Sequence, residues 1–190
     1  RRPVRAPPGP RRGDVGAAEI PAYDWLTKRV YVVNAVQKRV DVLDIRNPAA
    51  PTKLTHFDVS DLGTPNSVDT RLGIIAVAME ASVRTDPGTV VFFTPGGARL
   101  GTIEVGAVPD MLTFSPNGRW LAYVSNESGQ NEVYLRTASG EGRGQRVSSA
   151  GGMEPVWASD GSELFYREGN KMMVVAMPGG TTRPAQARLV

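Results

Sequence analysis

The chain has 190 residues, enough for one domain with a real core or two small ones, and it contains no cysteine. That excludes a disulfide framework, a thiolate metal site and a cysteine nucleophile. The formal net charge of +3 is uneven. Residues 1–15 carry Arg1, Arg2, Arg5, Arg11 and Arg12 against Asp14, so the remaining body is close to neutral. This leaves no electrostatic footprint for nucleic acid. No apolar run approaches the ~18 residues of a membrane-spanning helix.

Taken in chain order, residues 1–15 are basic, rich in Pro and Gly and without apolar period; they read as a disordered tail. Short strand signals bounded by Gly, Pro, Asn and Asp then recur. The first set is Ala17–Tyr23, Val30–Asn34, Arg39–Ile45 and Thr52–Val59. The second is Asn66–Thr70, Ile74–Met79, Gly88–Thr94 and Arg99–Val105. The third is Met111–Phe114, Trp120–Ser125, Glu132–Thr137 and Gln145–Ser148. The fourth is Pro155–Trp157, Glu163–Arg167, Lys171–Met177 and Gln186–Val190. Asn117-Gly118 and Asp160-Gly161 are hairpin turns, because both residue types tolerate positive φ. No long window keeps a 3.6-residue period without Gly or Pro, so a helical reading fails.

Four strands recurring four times, at a repeat of about 44 residues, predict an all-β fold: a β-propeller with four blades of four antiparallel strands. The repeats span about 16–62, 63–106, 107–150 and 151–190. A closed four-blade ring needs large wedge angles. Two chains could instead form one eight-bladed ring, so a homodimer is expected.

Two resemblances support this fold. Residues 16 to about 114 resemble the propeller of bacterial secreted proteins with a choice-of-anchor domain, through Gly16-Ala17-Ala18-Glu19-Ile20, Pro65-Asn66-Ser67-Val68 and Val108–Phe114. Residues 115–178 resemble TolB-type propeller repeats, through Ser115–Tyr123, Glu154–Trp157 and Ser159–Tyr166. These resemblances imply a periplasmic or secreted location.

Aligning the inner strands on their terminal aromatic residues puts Glu19, Asn66 and Asp110 at one position, 47 and 44 residues apart, with Met153 and then Glu154 in the fourth repeat. Three oxygen-bearing side chains at one channel mouth suit Ca²⁺. Zinc fits less well, since no His or Cys joins them. The same segments resemble those of calcium-dependent propeller hydrolases, the regucalcin-like lactonases and paraoxonases. That resemblance implies hydrolysis of a small ester, lactone or phosphotriester, with Glu19, Asn66 and Asp110 as metal ligands. Asp110 or Glu154 is the candidate base or nucleophile, and Trp25 and Trp120 are candidate substrate-lining residues. The competing reading is turn chemistry: Pro-Asn and Pro-Asp before a strand commonly cap backbone N–H groups. The chain is then a non-catalytic interaction module. His56 falls on a predicted outer strand and offers no channel base, and the Gly140–Gly144 run follows no strand into a helix, so it is not read as a phosphate loop.

Overall fold

Apolar runs of five or six residues rich in Val, Ile, Tyr and Phe, each closed by a turn residue, pair with their neighbours as antiparallel strands. The computed structural model describes residues 20–177 and 184–190. Within them, β1 (Pro21–Asp24), β2 (Arg29–Asn34), β3 (Arg39–Asp44) and β4 (Thr52–Asp58) form the first sheet. The second is β5 (Thr64–Arg71), β6 (Ile74–Glu80), β7 (Gly88–Phe93) and β8 (Arg99–Val105). The third is β9 (Asp110–Phe114), β10 (Trp120–Ser125), β11 (Glu132–Thr137) and β12 (Gln145–Arg146). The fourth is β13 (Met153–Trp157), β14 (Glu163–Glu168), β15 (Lys171–Ala176) and β16 (Arg188–Leu189). Each sheet is a meander, and the four are the blades of a β-propeller.

The predicted turns close as expected. Gly118 has φ +71° and donates its N–H to the Ser115 carbonyl at 2.8 Å. The Asn117 carboxamide oxygen accepts from the Ser115 hydroxyl and from Arg119 N–H. Gly161, with φ +75°, closes the equivalent turn onto the Ala158 carbonyl.

The core lies between sheets. β6 shows why its sequence is apolar without alternation. Ile75, Val77 and Met79 face the first sheet, packing with Tyr31, Val33, Val42 and Phe57. Ala76 and Ala78 face the third, packing with Leu121, Tyr123 and Tyr134. A strand buried on both faces cannot keep a polar side. Leu121, Ala122, Tyr123 and Val124 repeat the pattern, splitting between the second and third interfaces. The inner strands neighbour one another in the order β1, β5, β9, β13. Among the described residues β1 and β13 make no extensive contact, so the four sheets form an open arc.

The strands at the rim are different. β4 is exposed except at Phe57, and β8 except at Val105 and the half-buried Ile103. His56 is exposed on β4, as the sequence suggested.

Burial at the interfaces sets the stability. Leu121 is wholly buried between the second and third sheets. Leu121→Ala is expected to cost about 2–5 kcal/mol in urea unfolding. Leu54→Ala, on the exposed outer strand, should stay within ~0.5 kcal/mol. Equal costs at the two positions would mean that the inter-sheet faces are not the core.

Candidate functional site at the inner-strand mouth

The inner strands begin at one end of the arc. There the register slips by one residue in three of the four sheets. In the second sheet Pro65 pairs with Met79 and Ser67 with Ala78, leaving Asn66 as the extra residue. In the third, Asp110 pairs with Val124 and Thr113 with Ala122. In the fourth, Met153 pairs with Arg167 and Val156 with Phe165. Met111 (φ +50°) and Glu154 (φ +56°) lie inside the last two bulges in the left-handed region. For a non-glycine residue this costs roughly 1–2 kcal/mol. Bulges re-aim side chains at the ends of strands, frequently beside functional sites.

The slip corrects the alignment read from sequence. Pro65, Asp110 and Met153 each pair with the last-but-one residue of the second strand. They share a ladder position, whereas Asn66 sits one step later, within its bulge. One residue along a strand turns a side chain to the other face.

Asn66 is half-buried, and its amide nitrogen donates to Glu80 Oε2 at 3.1 Å and to the Pro109 carbonyl at 3.3 Å. It therefore joins the second sheet to the residue preceding Asp110. Glu80, at the end of β6, also pairs with Arg84 at 3.3 Å. Asp110 is half-buried at the start of β9, where Oδ1 accepts the N–H of Met111 at 2.7 Å. The mouth thus collects an amide, two carboxylates and a backbone carbonyl.

The other predicted residues fall elsewhere. Glu19 lies outside the described residues. Glu154 is exposed and held in a two-point ion pair with Arg167, at 2.7 and 2.8 Å. The guanidinium keeps its carboxyl below the usual carboxylate range, which makes it a poor proton acceptor. Trp25 is exposed in the β1–β2 turn, and Trp120 opens β10, packed against the cluster between the third and fourth sheets. Both lie at the far end of their sheets from Asn66 and Asp110, roughly 13 Å away at ~3.3 Å per strand residue. One small substrate cannot touch both sets.

As for a cation, Asn66 and Asp110 offer hard oxygen ligands. However, no group of three His, Cys, Asp or Glu side chains suited to a metal occurs among the described residues. The amide nitrogen of Asn66 is also committed to Glu80 and Pro109. These residues alone do not complete a calcium centre.

The strongest polar feature is a set of contacts that the spacing argument missed. Ser67, Asp69 and Arg71 alternate along β5 and all reach the third sheet. Ser67 Oγ accepts the N–H of Leu112 at 3.0 Å, Asp69 Oδ2 accepts that of Phe114 at 2.7 Å, and Arg71 Nε donates to the Pro116 carbonyl at 2.6 Å. The period-two run Ser-x-Asp-x-Arg was visible in the sequence. Its targets, two N–H groups and a carbonyl 45 residues away, were not.

Four antiparallel meanders stacked face to face with parallel inner strands define a β-propeller. The particular family follows from the sequence match: residues 19–160 fit the choice-of-anchor I domain, and the chain belongs to that family. No curated protein matches it. Among solved structures it is similar to a gluconolactonase from Xanthomonas campestris, at 13% identity and TM-score 0.63, covering 92% of this chain and 62% of that one. It is similar to a chain of the nidogen/laminin complex, at 16% and 0.64, covering 94% and 68%. It is similar to TolB from Acinetobacter baumannii, at 14% and 0.58, covering 90% and 43%. The chain thus spans less than two thirds of the gluconolactonase and of TolB. At these identities the likeness establishes the fold. No helix among the described residues is long and apolar enough to cross a membrane.

Asp69 yields a pH prediction. Burial pushes its carboxyl above the ordinary 3.8, against the opposing pull of the Phe114 and Thr70 N–H groups, the Thr113 hydroxyl and Arg71. The folded state therefore favours the protonated acid. That contribution is full below pH 3.8 and is lost as pH rises through the raised folded value. Relative to wild type, Asp69→Asn should gain stability across that window in urea melts taken at successive pH values. Parallel curves for the two proteins would show that Asp69 titrates normally.

Proposed function

We propose that this chain is a propeller hydrolase for a small lactone or related ester, acting at the mouth where β5, β6 and β9 meet. The observation that carries the reading is the bridge from Asn66 to both Glu80 and the Pro109 carbonyl, next to Asp110. It gathers hydrogen-bond donors and acceptors from two sheets around one point. The likeness to a gluconolactonase supports the same reading.

The chemistry follows from the groups present. Substrate hydroxyls would bond to the Glu80 carboxylate and the Pro109 carbonyl, which fixes the ring. Asp110 takes a proton from a water molecule as it attacks the ester carbonyl. The carbonyl carbon–ring oxygen bond then breaks. The departing alkoxide recovers the proton, leaving a hydroxy acid.

A second reading, a non-catalytic interaction module, is favoured by a different feature. Tyr23, Trp25 and Leu26 are each about half exposed around the β1–β2 turn. Grouped exposed aromatic and aliphatic side chains suit a protein contact. This patch lies at the opposite end of the arc from the polar mouth.

Hydrolysis of glucono-δ-lactone, followed by acid release above the spontaneous rate, separates the two. The hydrolase reading predicts turnover, a loss of roughly 100-fold or more in Asp110→Asn, and little change in Trp25→Ala. Loss on chelation with recovery on adding Ca²⁺ would assign the cation a part in the reaction. Folded protein without turnover, with or without Ca²⁺, would remove the hydrolase reading in favour of the interaction module.

A further inference from the structure

A second polar site lies away from the mouth, in a cleft of about 900 Å³ between the rim of the second sheet and the outer part of the third. Its walls include Thr102 and Glu104 of β8, Tyr123, Arg136 and the glycine-rich loop 140–144. Arg136 is the unusual group. It is 7% exposed on β11, and no carboxylate among the described residues lies within ion-pairing distance of it. Its terminal nitrogens donate instead to three backbone carbonyls: Glu104, Gly140 at 2.9 Å and Gly142 at 3.1 Å. Its Nε has no hydrogen-bond partner. Gly140 and Gly142 both adopt positive φ, at +83° and +73°, and this lets two carbonyls so close in sequence turn onto one guanidinium.

Carbonyl dipoles solvate the cation but do not neutralise it. A buried charge without a counter-charge is costly, typically by several kcal/mol. Three acidic groups line the same cleft, Tyr123, Glu104 and Glu127, and none of them balances it. The Tyr123 phenol stays protonated, since burial pushes its pKa well up. The Glu104 and Glu127 carboxylates are on exposed residues, outside ion-pairing distance of Arg136 and screened by water. Arg143 is exposed on the rim of the same cleft and adds a second cation. A cleft with a buried positive charge, an exposed arginine at its edge and the Thr85 and Thr102 hydroxyls alongside is chemically suited to an oxyanion.

We propose that this cleft binds a small oxyanion, a carboxylate or phosphate group, with Arg143 making the direct contact and Arg136 supplying the charge beneath it. The site is independent of lactone hydrolysis at the mouth.

Calorimetric titration of the whole chain with inorganic phosphate and, separately, with acetate tests this, each against chloride at matched ionic strength. The expected result is saturable binding of at least one oxyanion. Arg143→Ala should weaken it about tenfold, whereas Arg119→Ala, an exposed arginine outside the cleft, should leave it unchanged. Phosphate without acetate would identify a phosphate group as the ligand, and both together any oxyanion. Arg136→Gln should abolish binding, and Arg143→Ala keeps the test valid if that buried substitution unfolds the protein. No saturable heat beyond chloride, or equal weakening by Arg143→Ala and Arg119→Ala, would overturn the proposal.

Discussion

Apolar packing of one sheet against the next is the constraint on which everything else depends. A single four-stranded meander has two faces and can bury neither alone. In the stacked arc, each interior sheet buries both. Fully burying one Val, Leu, Phe or Met side chain is worth about 1.5–3 kcal/mol. Among the described residues, the interface between the first and second sheets buries eleven Val, Ile, Phe and Met side chains, with Ala22 and Tyr31 beside them. Exposed ion pairs such as Arg99–Asp61 contribute about 0–1 kcal/mol each. The arc is therefore held by its interfaces, and its surface charges do little for stability.

Stacking creates a polar problem that the inner strands must solve. β9 pairs with β10 on one side only, so its other edge presents N–H groups to the second sheet rather than to a ladder partner. Buried N–H groups need acceptors. Ser67 and Asp69 provide them for Leu112 and Phe114. Trp157 does a lesser version of the same at the next interface, donating its indole N–H to the Thr113 carbonyl at 3.4 Å. These contacts fix how far one inner strand is shifted along its neighbour. They thereby set where Asn66 meets Pro109 and where Asp110 stands at the mouth.

Strand existence and order were legible in the sequence because the signal is local. Trp120–Ser125 and Glu132–Thr137 follow from β-branched and aromatic runs ended by turn residues, and both strands have those bounds. The site was less legible because it depends on register. Counting residues back from Phe114 and Trp157 could not reveal that Asn66 occupies a bulge, and the mismatch at Met153 was its only trace. Glu80 carries no sequence signal, since it reaches the mouth only through the pairing of β5 with β6. The Gly140–Gly144 run lacks the strand-to-helix context of a phosphate loop. Its glycines serve instead to fold carbonyls around Arg136, a role that no motif spacing encodes.

Under the proposed function, the end of the arc holding Asn66, Glu80 and Asp110 receives a small polyhydroxylated molecule. The direct measurement is nitrogen-15 NMR mapping with 1,5-anhydroglucitol, an uncharged and unreactive ring with the hydroxyls of the lactone. Saturable shifts centred on the amides of residues 64–67, Glu80 and 110–111 are predicted. Shifts centred on Trp25 and Trp120 at the opposite end, or none at any concentration, would contradict the account.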